Sequence, residues 1–276
     1  DIANASYTQA FSVSAQDAIP KGVAFNPTGT KMFIAGGTAN KVHEYDLSTG
    51  FDVSTASFVD SFSVNAQVIQ IEDVAFNPTG TKMFVVGAYG EAIYEYDLSA
   101  GFDISTASYS QNFSVSAQDT GPTGVAFNSN GSTMFVVGKT NDAVYEYALS
   151  TGFDVSTASF TDSFSVSSQE TSPTGIAFNA DGTAMFIVGD TGDDVNEYTL
   201  ATGFDVSTSS FTDSFSVAGQ EISPSGLAFN SDGSKMFVVG YDGDDVNQYA
   251  TTSTATNSTT VPAGRALSTS SILLEG

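Results

Sequence analysis

The chain has no cysteine and no tryptophan, one histidine, and 7 Lys and Arg against 31 Asp and Glu in its 276 residues. Without cysteine there is neither a disulfide staple nor a thiolate metal site, and the redox compartment leaves no mark on the sequence. The lone His43 has no partner set of orienting carboxylate and nucleophile, so no catalytic triad can be assembled around it. It reads as a tolerated strand substitution. A net charge of -24 repels nucleic-acid phosphates and anionic lipid, which predicts no nucleic-acid partner. Such a balance suits a protein that stays soluble in salty water or binds cations. No run approaches the ~20 apolar residues of a membrane helix, so no membrane insertion is expected. The chain opens on Asp1 rather than Met, as a processed product or fragment would.

Repetition dominates what is present. Ala-Phe-Asn recurs with its Phe at 25, 76, 127, 178 and 229, a period of 51 without insertion or deletion. Phe11, Phe62, Phe113, Phe164 and Phe215 (in Phe-Ser-Val) keep the same step, as do Tyr45, Tyr96, Tyr147, Tyr198 and Tyr249. A fixed period of this size marks a propeller or solenoid, whose units cannot bury their faces alone. In the fourth copy, residues 174–179, 184–189, 194–200 and 210–217 read as four strands, and no useful 3.6-residue periodicity appears. Gly29, Gly80, Gly131, Gly182 and Gly233 mark the first hairpin turn of each copy, where positive φ is needed.

The ends predict closure. Residues 1–7 align with 52–58 at the same shift, so the chain begins with an outer strand that has no preceding sheet. It ends its pattern near Tyr249 with three strands lacking an outer partner. The expected fold is all-β: a five-bladed β-propeller with four antiparallel strands per blade over residues 1–250. The N-terminal strand completes the last blade and removes the open edges. Residues 251–276 form a Ser/Thr-rich tail, read as a linker or, through Ile272-Leu273-Leu274, as a docking segment.

Candidate site residues follow from departures within the repeat. Asp190, Asp193 and Asp194 cluster in one interstrand loop, and Asp242, Asp244 and Asp245 occupy its counterpart in the last copy. Clustered carboxylates of this kind suggest Ca2+, the only cofactor the sequence raises, against a plain solvated acidic loop. Tyr89 and Tyr241 stand in polar loops, where an exposed ring stacks on a sugar or anchors a protein partner. Ile71-Glu72-Asp73 replaces the Pro-x-Gly of the other four copies, predicting a unique asymmetric surface there. Gln16, Gln67, Gln118, Gln169 and Gln220 are expected to satisfy loop backbone groups.

The units GVAFNPTGTKMFIAGG and KVHEYDLSTGFDVSTASF resemble the propeller repeats of marine bacteriophage structural proteins and secreted marine bacterial proteins. That resemblance implies a non-enzymatic structural or adhesive module on a virion or cell surface, hence an extracellular or virion location. Its partners would be a receptor or neighbouring subunits. The stretch G-[IV]-A-F-N-x-[DT]-G-[TS] is also similar to strand signatures of lactonase-like and NHL-type propellers, whose metal-ligand set the sequence does not display. Two alternatives stand beside the first reading: a multivalent glycan-binding lectin and a lactonase-like propeller enzyme. Near-identical repeats favour multivalent binding over catalysis.

Overall fold

The computed structural model describes residues 1–251. The predicted tail, with Arg265 and Ile272-Leu273-Leu274, lies outside the described residues from 252 onward.

The first strand is β1 (Ser6–Ser12). Blade 1 then comprises β2 (Pro20–Phe25), β3 (Lys31–Gly36), β4 (Lys41–Leu47) and β5 (Ala56–Ser63). Blade 2 holds β6 (Ile71–Phe76), β7 (Lys82–Gly87), β8 (Ala92–Leu98) and β9 (Ala107–Ser114). Blade 3 runs through β10 (Pro122–Phe127), β11 (Thr133–Gly138), β12 (Ala143–Leu149) and β13 (Ala158–Ser165). Blade 4 is β14 (Pro173–Phe178), β15 (Ala184–Gly189), β16 (Asp194–Leu200) and β17 (Ser209–Ser216). Blade 5 adds β18 (Pro224–Phe229), β19 (Lys235–Gly240) and β20 (Asp245–Ala250), and its fourth strand is β1. β1 pairs antiparallel with β20, Tyr7 opposite Tyr249 and Phe11 opposite Val246, as the end alignment predicts.

Two-residue alternation shares each sheet between two neighbours. In β3, Phe33 and Ala35 pack into the core with blade 2, while Met32 and Ile34 pack into the core with blade 5. Both faces are therefore buried, and the second strands read as continuous apolar runs. Five such cores fill the five interfaces. Phenylalanine supplies the wedge: Phe33 and Phe76 rings lie 4.4 Å apart across one interface, with Phe102 5.6 Å from Phe76. Each buried ring is worth roughly 1.5–3 kcal/mol.

The hairpin glycines do have positive φ, between 68° and 72°. Phe51, Phe102, Phe153 and Phe204 adopt positive φ as well, between 56° and 62°, which the repeat alone does not reveal. Each folds its ring over the preceding hairpin glycine, where a Cβ would collide with it. After each Phe an Asp caps a single 3-10 turn; Asp103 Oδ1 accepts from Ser105 N at 3.1 Å.

The next residue receives an inter-blade latch. Its backbone N–H donates to a third-strand carboxylate of the preceding blade: Ile104 N to Glu44 at 3.2 Å and Val155 N to Glu95 at 3.1 Å. Val206 N to Glu146 at 3.1 Å continues the series. Ile2 N to Glu197 at 3.0 Å and Val53 N to Gln248 at 3.3 Å close it around the ring.

Candidate active site

The five inner strands, β2, β6, β10, β14 and β18, contact one another in a ring around the axis. Glycine permits this close approach: a Cβ on Gly226 would lie 2.8 Å from Gly22 Cα, and one on Gly175 3.2 Å from Gly226 Cα. Blade 2 breaks the ring of glycines with Asp73, which is buried. Its side chain reaches between blades 1 and 3. Oδ1 accepts from Val74 N at 2.8 Å and Oδ2 from Val125 N at 3.0 Å, and Oδ1 fills the space a Gly22 Cβ would need.

Burial pushes the Asp73 carboxyl up to about 7, and the neighbouring Glu72 charge adds to the rise against the two N–H donors. It lines an axial cavity of about 840 Å³ walled by Val23, Val74, Val125, Ile176 and Leu227, with the following alanines. Phe178 and Phe229 lead from these walls toward an acidic edge formed by the blade 4 and 5 hairpin turns. An ionisable acid tuned near neutrality in an apolar cavity can exchange protons with a bound molecule.

A second cavity of about 360 Å³ is lined by the residues one step earlier on the inner strands, including Lys21, Glu72, Thr123, Thr174 and Ser225. Three of these five equivalent positions carry hydroxyls that bridge blades: Thr123 to Pro173 O (2.8 Å), Thr174 to Pro224 O (2.9 Å) and Ser225 to Pro20 O (2.9 Å). The other two carry an ion pair, Lys21 Nζ 3.5 Å from Glu72 Oε2.

The sequence-predicted residues divide accordingly. Glu72 and Asp73 line the two axial cavities, whereas Ile71 is a core residue. The Ile71-Glu72-Asp73 departure therefore points inward rather than forming an outer surface. Tyr241 and Asp190 also line the smaller cavity, and Tyr89 stands apart, 74% exposed. The two acidic loops are organised from within. Glu170 accepts from Thr191 N (3.2 Å) and Gly192 N (3.1 Å), and Glu221 from Asp242 N and Gly243 N (both 3.2 Å). Asp194 accepts from Asn196 Nδ2 at 2.7 Å, Asp245 pairs in register with Ser12, and Asp193 and Asp244 occupy left-handed turn positions. Among the described residues no group of three or more His, Cys, Asp or Glu is gathered closely enough to hold a metal ion.

His43 is buried with Nε2 3.5 Å from Asp17, in blade 1's version of the same loop-organising arrangement. Asp17 accepts from Ile19 N at 2.8 Å and from Thr38 N at 3.2 Å. The recurrent glutamines accept from tyrosine hydroxyls rather than serving loop backbone, as in Tyr45 to Gln16 and Tyr147 to Gln118, both 3.2 Å. The inter-blade role of Glu44 and its copies was not foreseen; its only sequence signal is an acid or amide before the recurrent Tyr.

No protein-family model and no curated protein matches the sequence. Solved structures match by fold. A protein from Lactobacillus plantarum is 14% identical with a TM-score of 0.53, covering 84% of this chain and 67% of that one. A candidate 6-phosphogluconolactonase from Bacteroides uniformis is 10% identical with a TM-score of 0.50, covering 83% and 66%. This chain thus spans about two thirds of the length of either. A luciferin-regenerating enzyme is 12% identical with a TM-score of 0.51, covering 87% and 94%.

These likenesses establish the β-propeller fold. They also correct the expectation of a non-enzymatic structural or adhesive module on a virion or cell surface. The similar propellers include enzymes, and the resemblance to marine phage and secreted marine repeats has no counterpart among those named. The repeat units misled because they are nearly identical, whereas Asp73, unique to blade 2 at its position, lines the larger axial cavity.

Proposed function

We propose that the chain is a lactonase-like hydrolase that opens a small cyclic ester in the larger axial cavity, with Asp73 as its acid and base. The observation that supports this most is Asp73 itself. It is the sole carboxyl on the ring of inner-strand glycines, held near neutrality beside a cavity of about 840 Å³. Cavities of this volume fit small ligands. The ionised carboxylate takes a proton from water as that water attacks the lactone carbonyl. The tetrahedral intermediate then collapses by breaking the ring C–O bond, and Asp73 returns the proton to the departing alkoxide. A pKa near the operating pH suits both transfers. The apolar walls keep the local dielectric low. Each inner strand is hydrogen-bonded to a neighbour on one side only, so its open edge faces the axis. The shared fold with a candidate 6-phosphogluconolactonase supplies the reaction class to be tested.

Turnover of a panel of sugar and aliphatic lactones by the full chain tests the proposal. The rate is expected to rise with pH through about 7. Asp73→Gly, which installs the residue the other four blades carry, should keep the fold and lose activity by about 100-fold or more. Absence of turnover in the wild type, or full activity in Asp73→Gly, would overturn it.

A further inference from the structure

Resting on that reading, we infer that the larger cavity takes uncharged lactones and turns away phosphorylated or carboxylated ones. Charge is distributed unequally along the axis. Among the described residues lining the larger cavity there is no Lys or Arg, while Asp1, Asp73, Asp181, Glu197 and Asp232 are all present, and the α-ammonium of Asp1 lies 4.0 Å from Glu197 and offsets that one carboxylate. Lys21 and Lys139 line the smaller cavity instead.

The asymmetry comes from the repeat's own variation. At the equivalent hairpin position blades 1 to 3 carry Thr28, Thr79 and Asn130, and only blades 4 and 5 carry acids. These are also the turns that border the cavity, at 179–181 and 230–233. Both acids are ionised at neutral pH. Hydrogen bonds from the Thr183 side chain and then its backbone N–H hold Asp181 below the usual carboxylate range, and Ser234 does the same for Asp232.

A phosphorylated lactone would bring its anion past this pair and against the ionised fraction of Asp73. A concave opening with low-dielectric walls concentrates the resulting field, and charge-dependent encounter rates in such clefts change by roughly 10- to 1000-fold. Hydrolysis itself turns a neutral ester into a carboxylate, so the same field favours release of the product. The reaction that supplies the substrate must leave the lactone uncharged.

The test compares kcat/KM of the full chain for glucono-1,5-lactone and for its 6-phosphate. At low ionic strength the neutral lactone should be preferred by at least about tenfold, and added salt should narrow the ratio as screening grows. The double variant Asp181→Asn/Asp232→Asn should narrow it further by raising the rate on the phosphate. Equal or better turnover of the phosphate, or a ratio that neither salt nor the double variant moves, overturns the inference while leaving the hydrolase reading intact. Should neither lactone turn over, the hydrolase reading falls, and binding of the unreactive glucono-lactam against its 6-phosphate still decides the charge preference. Tighter binding of the neutral lactam sustains that preference; tighter binding of the phosphate, or binding of neither, ends it.

Discussion

Asp73 stands where the other blades place glycine, and its side chain is tolerated because two backbone N–H groups from blades 2 and 3 receive its oxygens. Those bonds offset only part of the cost of burying a charge, so the folded protein holds the proton up to about pH 7. An unfolded chain releases it near the ordinary value of 3.8. The folded state therefore binds more protons between these values. The Asp73 contribution is most favourable below about pH 4, falls as pH rises toward 7, and is lowest above that. The loss amounts to roughly 4 kcal/mol at most. Other carboxyls, such as Asp52 and Asp154, are held low by hydrogen bonds led by Ser54 and Ser156, and oppose this trend. The measurement is accordingly a difference. Between pH 5 and 8 the melting temperature of Asp73→Asn should fall less than that of the wild type. Parallel curves would contradict the assignment.

The latch is a property of elements rather than of single side chains. A third-strand acid joins the cap of the next blade's 3-10 turn, and in blades 1 and 2 it also binds a lysine, Lys31 with Glu44 and Lys82 with Glu95. Removing the acid strands a buried N–H and a partly buried ammonium. Glu95→Ala is therefore expected to cost about 2–4 kcal/mol in denaturant unfolding. Glu95→Gln should cost less than half as much, because Gln248 makes the same backbone contact in blade 5 with an amide oxygen. Equal losses for the two variants would show that the ammonium, and not the N–H, dominates.

At the scale of the molecule, the ring depends on β1 and the residues that flank it. Ile2 and Ala5 enter the core between blades 4 and 5, and Val13 enters the core between blades 5 and 1. Deleting residues 1–14 removes these contacts, the β1–β20 pairing and the Glu197 latch together. It also exposes the β20 edge to intermolecular pairing. The truncated chain should melt at least about 10 °C lower or aggregate, judged from the loss of several kcal/mol. An unchanged melting temperature and a monodisperse monomer would be incompatible with closure through β1.

Strand number, blade number, hairpin glycines and the shared fifth blade are all legible in the sequence, because a period of 51 with constant register leaves few ways to bury both faces of every sheet. The position of Ile71-Glu72-Asp73 as a departure was equally visible. Its meaning was not: alternation identifies two faces of a strand, but only the packing of five inner edges around an axis turns Asp73 into a cavity and raises its pKa. The latches belong to the same class, since each joins residues about 60 positions apart or across the chain ends. Local pattern determined the units and their closure. The tertiary structure decided which rare substitutions meet at the centre, because burial and charge proximity arise only once the blades surround them.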